Sequence, residues 1–378
     1  MHKHYFIAST LLLGTIIGAG IFTLPQVFYT TGLAWVVVYL LVFGIVTAYV
    51  HLMYAEVLLR TKGEHELAGC TTLYLGSALG HIIKVTQVLG SAGTLIAYQI
   101  LGGEFLRLVI PMLPPYSEIL LFWIMGGVGI VFGVNTIAKG ELFTNGFMFC
   151  IVVAMFILGL PYWDTLTWYK GVEHPLLPYG IVLYTLMGQQ AVREVITYLQ
   201  KKKIPVRPMP FVLASLGSVF FCLIFMFAVL LLYKGTMPPI NVFSGLLRSV
   251  PVIGLLGGLL GLANILDSSW TIGTYFRSVL VNDLRMHKLL SLILVLSTPL
   301  VGYIVLHEKL LWLLGILGGI GIGFEALIIL FIWRKARNMP EGRGRIPDFT
   351  LRVHPVLFWA FTLLLIGGLA YKLFHAYG

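Results

Sequence analysis

Apolar residues run in long unbroken stretches along this chain, and polar residues gather in the short segments between them. Eleven stretches, about 5–29, 33–59, 82–110, 118–136, 142–161, 176–199, 209–233, 250–276, 287–306, 310–333 and 354–376, are candidates for membrane-spanning helices. A helix needs roughly 20 apolar residues to cross a bilayer. The stretches are continuous rather than alternating, which counts against a β-barrel. The 33–59 stretch leaves the apolar phase at "EVLLRTKGEHE", and "HELAGCTTLYLGSALG" in the connection that follows predicts a short interfacial helix. The first stretch continues past Gly20 to Phe28, so it reads as a spanning helix rather than a cleavable leader.

One stretch breaks its own pattern. "GTIIGAGIFTLP", residues 14–25, puts Gly14, Gly18, Gly20 and Pro25 in the middle of the first span. Glycine weakens a helix and proline removes a backbone donor. Gly14 and Gly18 are four apart, which suits close packing of two helices. The other reading is a discontinuous helix. Its half-helix N-terminus would offer N–H groups and a positive dipole end to a carboxylate, and a facing C-terminal end would offer carbonyls to an ammonium or a cation. The break lies near mid-membrane by helical rise, which is where a binding site would use it.

Charge supports the span pattern. The chain has 378 residues, 58% hydrophobic and only 11% charged, with a net charge of +10. Soluble domains carry about 25% charged residues, so this is an all-α integral membrane protein. Nucleic acid is not the partner that its positive charge implies, because the basic residues sit in alternate connections. Lys3, Arg60, Lys62, Lys84, Lys139, Lys201, Lys202, Lys203, Arg207, Arg277, Arg285, Lys288, Arg334, Lys335, Arg337, Arg343, Arg345 and Arg352 fall on one side. Arg107, Lys170, Lys234, Arg248, Lys309 and Lys372 fall on the other. The positive-inside rule then places the N-terminus inside and the C-terminus outside a cytoplasmic membrane. "RKARNMPEGRGRIPDFTLRVHP" reads as a solvated cytoplasmic linker near lipid headgroups. The three cysteines, Cys70, Cys150 and Cys222, are far apart and without metal-ligand spacing. No P-loop, Ser/His/Asp or HExxH pattern stands out, so neither ATP hydrolysis nor another enzymatic activity is expected, and no cofactor is implied.

An inverted repeat should carry a second break in the matching span of its second half. That span reads "LPYGIVLYTLMGQQAVREVITYLQKKK", with Gly188, Gln189 and Gln190 at its middle after Tyr184 and Thr185. Taken together, "GTIIGAGIFTLP", "YAEVLLRTKGEHELAGCTTLYLG" and "GQQAVREV" resemble the amino acid–polyamine–organocation superfamily, in particular its aromatic and neutral amino acid permease branches. Glu194 matches the Pro-Glu pair common at the family's sixth-helix break, and Arg193 stands where the proline would be. The resemblance implies a five-plus-five inverted-repeat, LeuT-like transporter fold with an eleventh transmembrane helix. The single domain would span 1–378, with repeats at 1–161 and 176–333 and the extra span at 354–376. It also implies that Ile17, Gly18, Ala19 and Gly20 supply backbone to a substrate carboxylate. Tyr184, Thr185, Gly188 and Gln189 would lie at the substrate amine.

Ionisable groups in the spans are the remaining candidates. "LANILDSSWTIGTYFR" places Asn264, Asp267, Ser268 and Ser269 inside an apolar helix. Intramembrane charges mark ion or proton pathways by default. By resemblance to sodium-coupled folds, Ser268 or Ser269 would join carbonyls near Gly14 and Ile17 around a cation. The fifth-span lysine that some proton-coupled relatives use is absent from "ELFTNGFMFCIVVAMFILGLP". Asp267 is therefore the first candidate for coupling. Glu104 is the second, with an i,i+3 pair to Arg107 as its structural explanation, and Glu325 the third. His51 reads as a hydrogen-bonded core residue, and Arg193 as a side chain snorkelling toward Lys201. The expected function is secondary import of aromatic or large neutral amino acids, driven by protons in preference to sodium. A ligand-sensing membrane subunit on the same fold, or an uncoupled exchanger, are the competing classes. The expected partners are an amino acid, the coupling ion and membrane lipid.

Overall fold

The computed structural model of the protein describes residues 2–63, 65–132, 138–166, 176–239, 241–338 and 345–374, with the side chains of 138–145 and 283 left undescribed. Lys170, Arg343 and the last residues of the 118–136 and 354–376 stretches lie outside the described residues. The elements, in chain order, are helices. They are α1 (His2–Ile16), α2 (Gly20–Thr31), α3 (Leu33–Arg60), α4 (Leu67–Leu75), α5 (Ser77–Val109), α6 (Ser117–Phe132), α7 (Ala138–Gly159), α8 (Pro178–Leu186) and α9 (Gln189–Lys201). After these come α10 (Met209–Leu232), α11 (Val242–Ser249), α12 (Pro251–Ser278), α13 (Lys288–Leu306), α14 (Leu310–Ile316), α15 (Gly323–Arg337) and α16 (Pro355–Phe374). A π-helical stretch, Leu317–Ile322, joins α14 to α15.

Every expected span holds a helix or a broken pair of helices. By length and apolar content, seven helices can cross a membrane, or eight with the bent pair α1–α2, among the described residues. The three expected spans outside that set each have a visible reason. Helix α6 has 16 residues. Helices α8 and α9 divide one span into pieces of 9 and 13 residues. Helix α5 is long, but Gln87, Ser91, Thr94 and Gln99 dilute its apolar run. The short interfacial helix expected after α3 is α4, and it packs against α5 and α15.

The two broken pairs form the centre. Helix α1 packs on α9 and α10, and α2 packs on α8, so each half of one break lies against a half of the other. Helices α3, α5, α10, α12 and α15 surround them. The turn from α2 into α3 is a single residue, Gly32, at φ +97°. A side chain is disfavoured in that conformation, and glycine allows the helices to reverse without a loop.

The basic end is tied together by one buried carboxylate. Glu56 on α3 is 0% exposed; it pairs with Arg60 at 2.7 Å and accepts from the Trp333 indole and the Leu351 N–H. The linker before α16 is thus not the free solvated segment expected. Its described part folds back, with Asp348 accepting from the Val206 N–H at 2.7 Å and Arg345 donating its N–H to the Arg60 carbonyl.

Candidate functional site

Both expected breaks are present. Helices α1 and α2 meet at 57° across Ile17–Ala19. The Gly18 N–H bonds the Ile16 carbonyl, a tight local turn that interrupts the α-helical ladder. The opening turn of a helix leaves its first N–H groups without intrahelical acceptors. Here that turn starts at Gly20, beside Gly18 and Ala19. The packing reading of the glycines also holds, at a different residue. A Cβ on Gly20 would come within 2.9 Å of the Thr185 Cα, so Gly20 is where α2 closes on α8.

The second break passes through Met187 in extended backbone and Gly188 at φ −135°, ψ 31°. The freed Gly188 N–H donates to His51 Nε2 at 3.0 Å. His51 Nδ1 lies 2.9 Å from Ser215 Oγ. A ring nitrogen that accepts an N–H carries no proton, so the imidazole is the neutral Nδ1–H tautomer and donates to Ser215. His51 is 0% exposed, in keeping with its reading as a hydrogen-bonded core residue, and it takes the place of the missing backbone acceptor.

Between the breaks lies a cavity of about 270 Å³. Gly14, Gly18, Ala19, Gly20, Tyr184, Gln189, Asp267 and Ser268 line it, all of them candidates from the sequence. Ile17, Thr185, Gly188 and Ser269 do not. Ile17 is buried and bonds back to Leu13, Thr185 donates to the Ile181 carbonyl, and the Gly188 amide is taken by His51. Ser269 donates to the Leu266 carbonyl and turns toward Gly126 of α6. Adjacent residues on a helix point about 100° apart, and on α12 that step carries Ser269 out of the cavity wall while Ser268 stays in it.

The rest of the wall mixes aromatic and aliphatic side chains with polar ones such as Thr15, Asn264 and Thr271. Tyr98 and Thr94 come from α5, Trp270 and Ile272 from α12, Met187 from the second break and Ile322 from the π-helical stretch. The α5 contribution was missed from sequence. Ser91, Thr94 and Tyr98 recur at helical spacing within an apolar run, and that polar stripe was its signal. The Tyr184 hydroxyl lies 3.4 Å from Thr94 Oγ1 and fixes α8 against α5.

The cavity is asymmetric along the helix axes. Gln190 and Thr271, on the basic-end side of the breaks, are exposed lining residues. On the opposite side, Phe22, Phe105, Phe225 and Phe243 pack ring to ring at 5.0–6.3 Å and are all at most 1% exposed. This aromatic seal closes one end and leaves the basic end open.

Other charged groups are placed as follows. Arg193 pairs with Glu66 at 2.6 Å and so is held outside the cavity. The Glu104–Arg107 pair expected within α5 is replaced by an Arg107–Glu118 bridge to α6 at 2.6 Å. Glu118 is 5% exposed and gives Arg107 a better-shielded partner than its own helix does. Glu325 is 7% exposed, and Gln189 Nε2 donates to its Oε2 at 2.7 Å. Among the described residues, no group of three or more His, Cys, Asp and Glu side chains could hold a metal ion.

Comparison with known proteins gives two kinds of likeness. Residues 1–168 match the tryptophan/tyrosine permease family. No curated protein matches the chain in sequence. Among solved structures, MhsT in complex with L-phenylalanine is similar with a TM-score of 0.72 at 13% identity, covering 98% of each chain. The manganese transporter of Eremococcus coleocola is similar with a TM-score of 0.66 at 13% identity, over 98% of this chain and 86% of that one. At such identity these likenesses speak for the backbone alone. The chain has the LeuT-like helical fold, with its two broken helices facing each other across one cavity.

Proposed function

We propose that the protein is a secondary transporter of aromatic amino acids. The observation that carries this reading is the cavity, where a free half-helix N-terminus at Gly18–Gly20 and the C-terminal end of α8 meet beside three aromatic side chains. The first offers N–H groups to a carboxylate, and the second offers carbonyls to an ammonium. Tyr98 and Tyr184 put aromatic side chains in the wall suited to an aromatic substrate, while the Trp270 indole is held against α6 by its bond to the Met125 carbonyl. The tryptophan/tyrosine permease match over the first 168 residues supports the same substrate class.

A metal substrate fits the wall less well. Among the described residues, Asp267 is its one acidic side chain, and no histidine or cysteine lines it. Asp267 is partly exposed on the open side, where its charge draws a cationic group into the cavity. The coupling ion in this reading is the proton. Sodium requires several oxygen ligands converging on one point, and Ser269, one of the two hydroxyls considered for that role, faces α6 instead.

The charge pattern supports a cytoplasmic basic end, and in this reading the open end of the cavity faces inward. The test is a thermal-shift screen of the twenty amino acids on the purified protein. A ligand that binds the folded state raises the melting temperature by mass action. Tryptophan, tyrosine or phenylalanine should raise it and glycine, lysine and glutamate should not. No shift with any aromatic amino acid would contradict the reading.

A further inference from the structure

Glu325 is the most deeply placed carboxyl group beside the cavity, and it carries no cation partner among the described residues. Its surroundings are neutral donors and acceptors. Gln189 Nε2 donates to Oε2 at 2.7 Å, and Thr86 Oγ1 stands 3.4 Å from Oε1. Thr86 also reaches the Ile83 carbonyl at 2.9 Å. A hydroxyl has one proton to give. The shorter bond takes it to Ile83, and the Thr86 oxygen then presents a lone pair to Glu325 Oε1. Two acceptors face each other unless a hydrogen lies between them. A carboxylic acid supplies that hydrogen: Oε1–H donates to Thr86, Thr86 donates to Ile83, and Oε2 accepts from Gln189. With the Thr86 hydroxyl turned to Ile83 the chain of bonds is complete when Glu325 carries the proton, and with it turned to Oε1 the chain is complete without the proton, so the site accommodates both protonation states.

The charged and titratable groups on the neighbouring elements are placed as follows, with Glu194 of α9 exposed. On α3, Glu56 and Arg60 pair with each other, and His51 is bound to Gly188 and Ser215. On α9, Arg193 pairs with Glu66. Helix α4 brings Cys70 and Tyr74, the latter bonded to Thr61. On α16, Lys372 lies against Gly315 and Gly319, upstream of the π-helical stretch's end, and Tyr371 precedes it. Helix α5 carries Lys84 one residue after Ile83.

We propose that Glu325 is the seat of the transported proton and that Gln189 couples its occupancy to the substrate. This rests on the reading of the protein as an amino acid transporter. Gln189 lines the cavity and touches Glu325 at once. A carboxylate only accepts, so it holds an amide N–H of Gln189 on itself. Protonation removes the charge from the acceptor and weakens that hold, so the amide is freer to turn toward the cavity. The step is a simple protonation. A hydronium O–H bond breaks and a Glu325 O–H bond forms on the side of entry, and the reverse returns the proton to water on the side of release. Asp267, in contrast, is partly exposed in the cavity wall and acts on the charge of the cavity rather than as the proton's seat.

The experiment uses the full chain in proteoliposomes with labelled L-tryptophan and an imposed pH gradient. The wild type should accumulate tryptophan and alkalinise the medium as it does so. Glu325→Gln mimics the neutral acid. It should keep counterflow within about threefold, lose accumulation at least tenfold and show no alkalinisation. Accumulation and alkalinisation at the wild-type level in Glu325→Gln would overturn the assignment. Should that variant fail to fold, Thr86→Val serves instead. It removes the hydroxyl beside Oε1, so the pH of half-maximal accumulation should move, and an unmoved pH profile would overturn the proposal. Absence of counterflow in the wild type would instead remove the transport reading, and this assignment with it.

Discussion

His51 and Gly188 are joined by a hydrogen bond of 3.0 Å between the imidazole Nε2 and the backbone N–H, across 137 residues of sequence. The bond explains how a helix can stop and restart inside a bilayer. A backbone N–H freed in lipid must find a protein partner, and a side chain of α3 provides it. His51→Phe keeps the ring shape and removes the acceptor. It should lower stability by about 1–3 kcal/mol, the cost of a buried unsatisfied donor. His51→Gln, which retains an acceptor, should recover part of the loss. Thermal melting of the three forms, with hydrogen exchange at the Gly188 amide, checks this. Equal melting of His51→Phe and wild type would mean that another group caps the break.

The glycines of the first break have separable roles. At Gly20 a Cβ would meet the Thr185 backbone at 2.9 Å, and a backbone atom cannot swing aside. Gly20→Ala should therefore destabilise the fold, by about 1–3 kcal/mol as overpacking does. At Gly18 a Cβ would meet the Tyr98 hydroxyl at 3.2 Å, the end of a side chain, and the rest of a leucine would extend into the cavity. Gly18→Leu should fold and fail to bind amino acids. Melting curves with and without tryptophan distinguish the two. A Gly18→Leu protein that binds normally would return the first break to a packing role.

The aromatic seal predicts accessibility. Phe22 is 0% exposed at the centre of the cluster with Phe105, Phe225 and Phe243. Phe22→Ala should cost roughly 3–5 kcal/mol and open the cavity toward the Lys234 side. A cysteine introduced at Ala19 should then react with a membrane-impermeant maleimide added on that side. In the wild-type background the same cysteine should be protected there.

The orientation proposed from the charge pattern is checked by the same chemistry. With Cys150 and Cys222 replaced, Thr236→Cys should label from outside intact cells and Lys202→Cys should not. Both positions are exposed, at opposite ends of the molecule. Cys70 adds little background. It is buried in α4, and burial pushes its thiol up to about 12, so it stays protonated and unreactive at neutral pH. The reverse labelling pattern would invert the topology.

Much of this architecture is legible in the sequence because lipid restricts what a chain can do. A backbone crossing it must be helical, and every exception needs a partner. That is why "GTIIGAGIFTLP" and "LMGQQ" stand out as breaks from residue type and position alone. What the sequence hides are contacts set by rotation about helix axes. Ser268 and Ser269 look equivalent in an apolar run, yet one lines the cavity and the other faces α6. Arg107 has a partner three residues away in sequence and chooses Glu118 on another helix. Tyr98 and Thr94 line the cavity, and the polar stripe they form with Ser91 marks a face of α5 without saying what that face meets. Glu325 is an ordinary intramembrane acid until the fold sets the Gln189 amide against it. Each of these depends on which helices become neighbours, and periodicity within one helix does not carry that information.

The central claim is that the cavity between the two breaks carries aromatic amino acids across the membrane. Counterflow measures this directly. Proteoliposomes loaded with unlabelled L-tryptophan should take up labelled tryptophan transiently above equilibrium, and external L-phenylalanine or L-tyrosine should compete where glycine does not. Gly18→Leu should abolish the overshoot. Saturable binding of tryptophan with no counterflow, in protein shown to be folded, would contradict the claim and leave the cavity as the ligand site of a sensor.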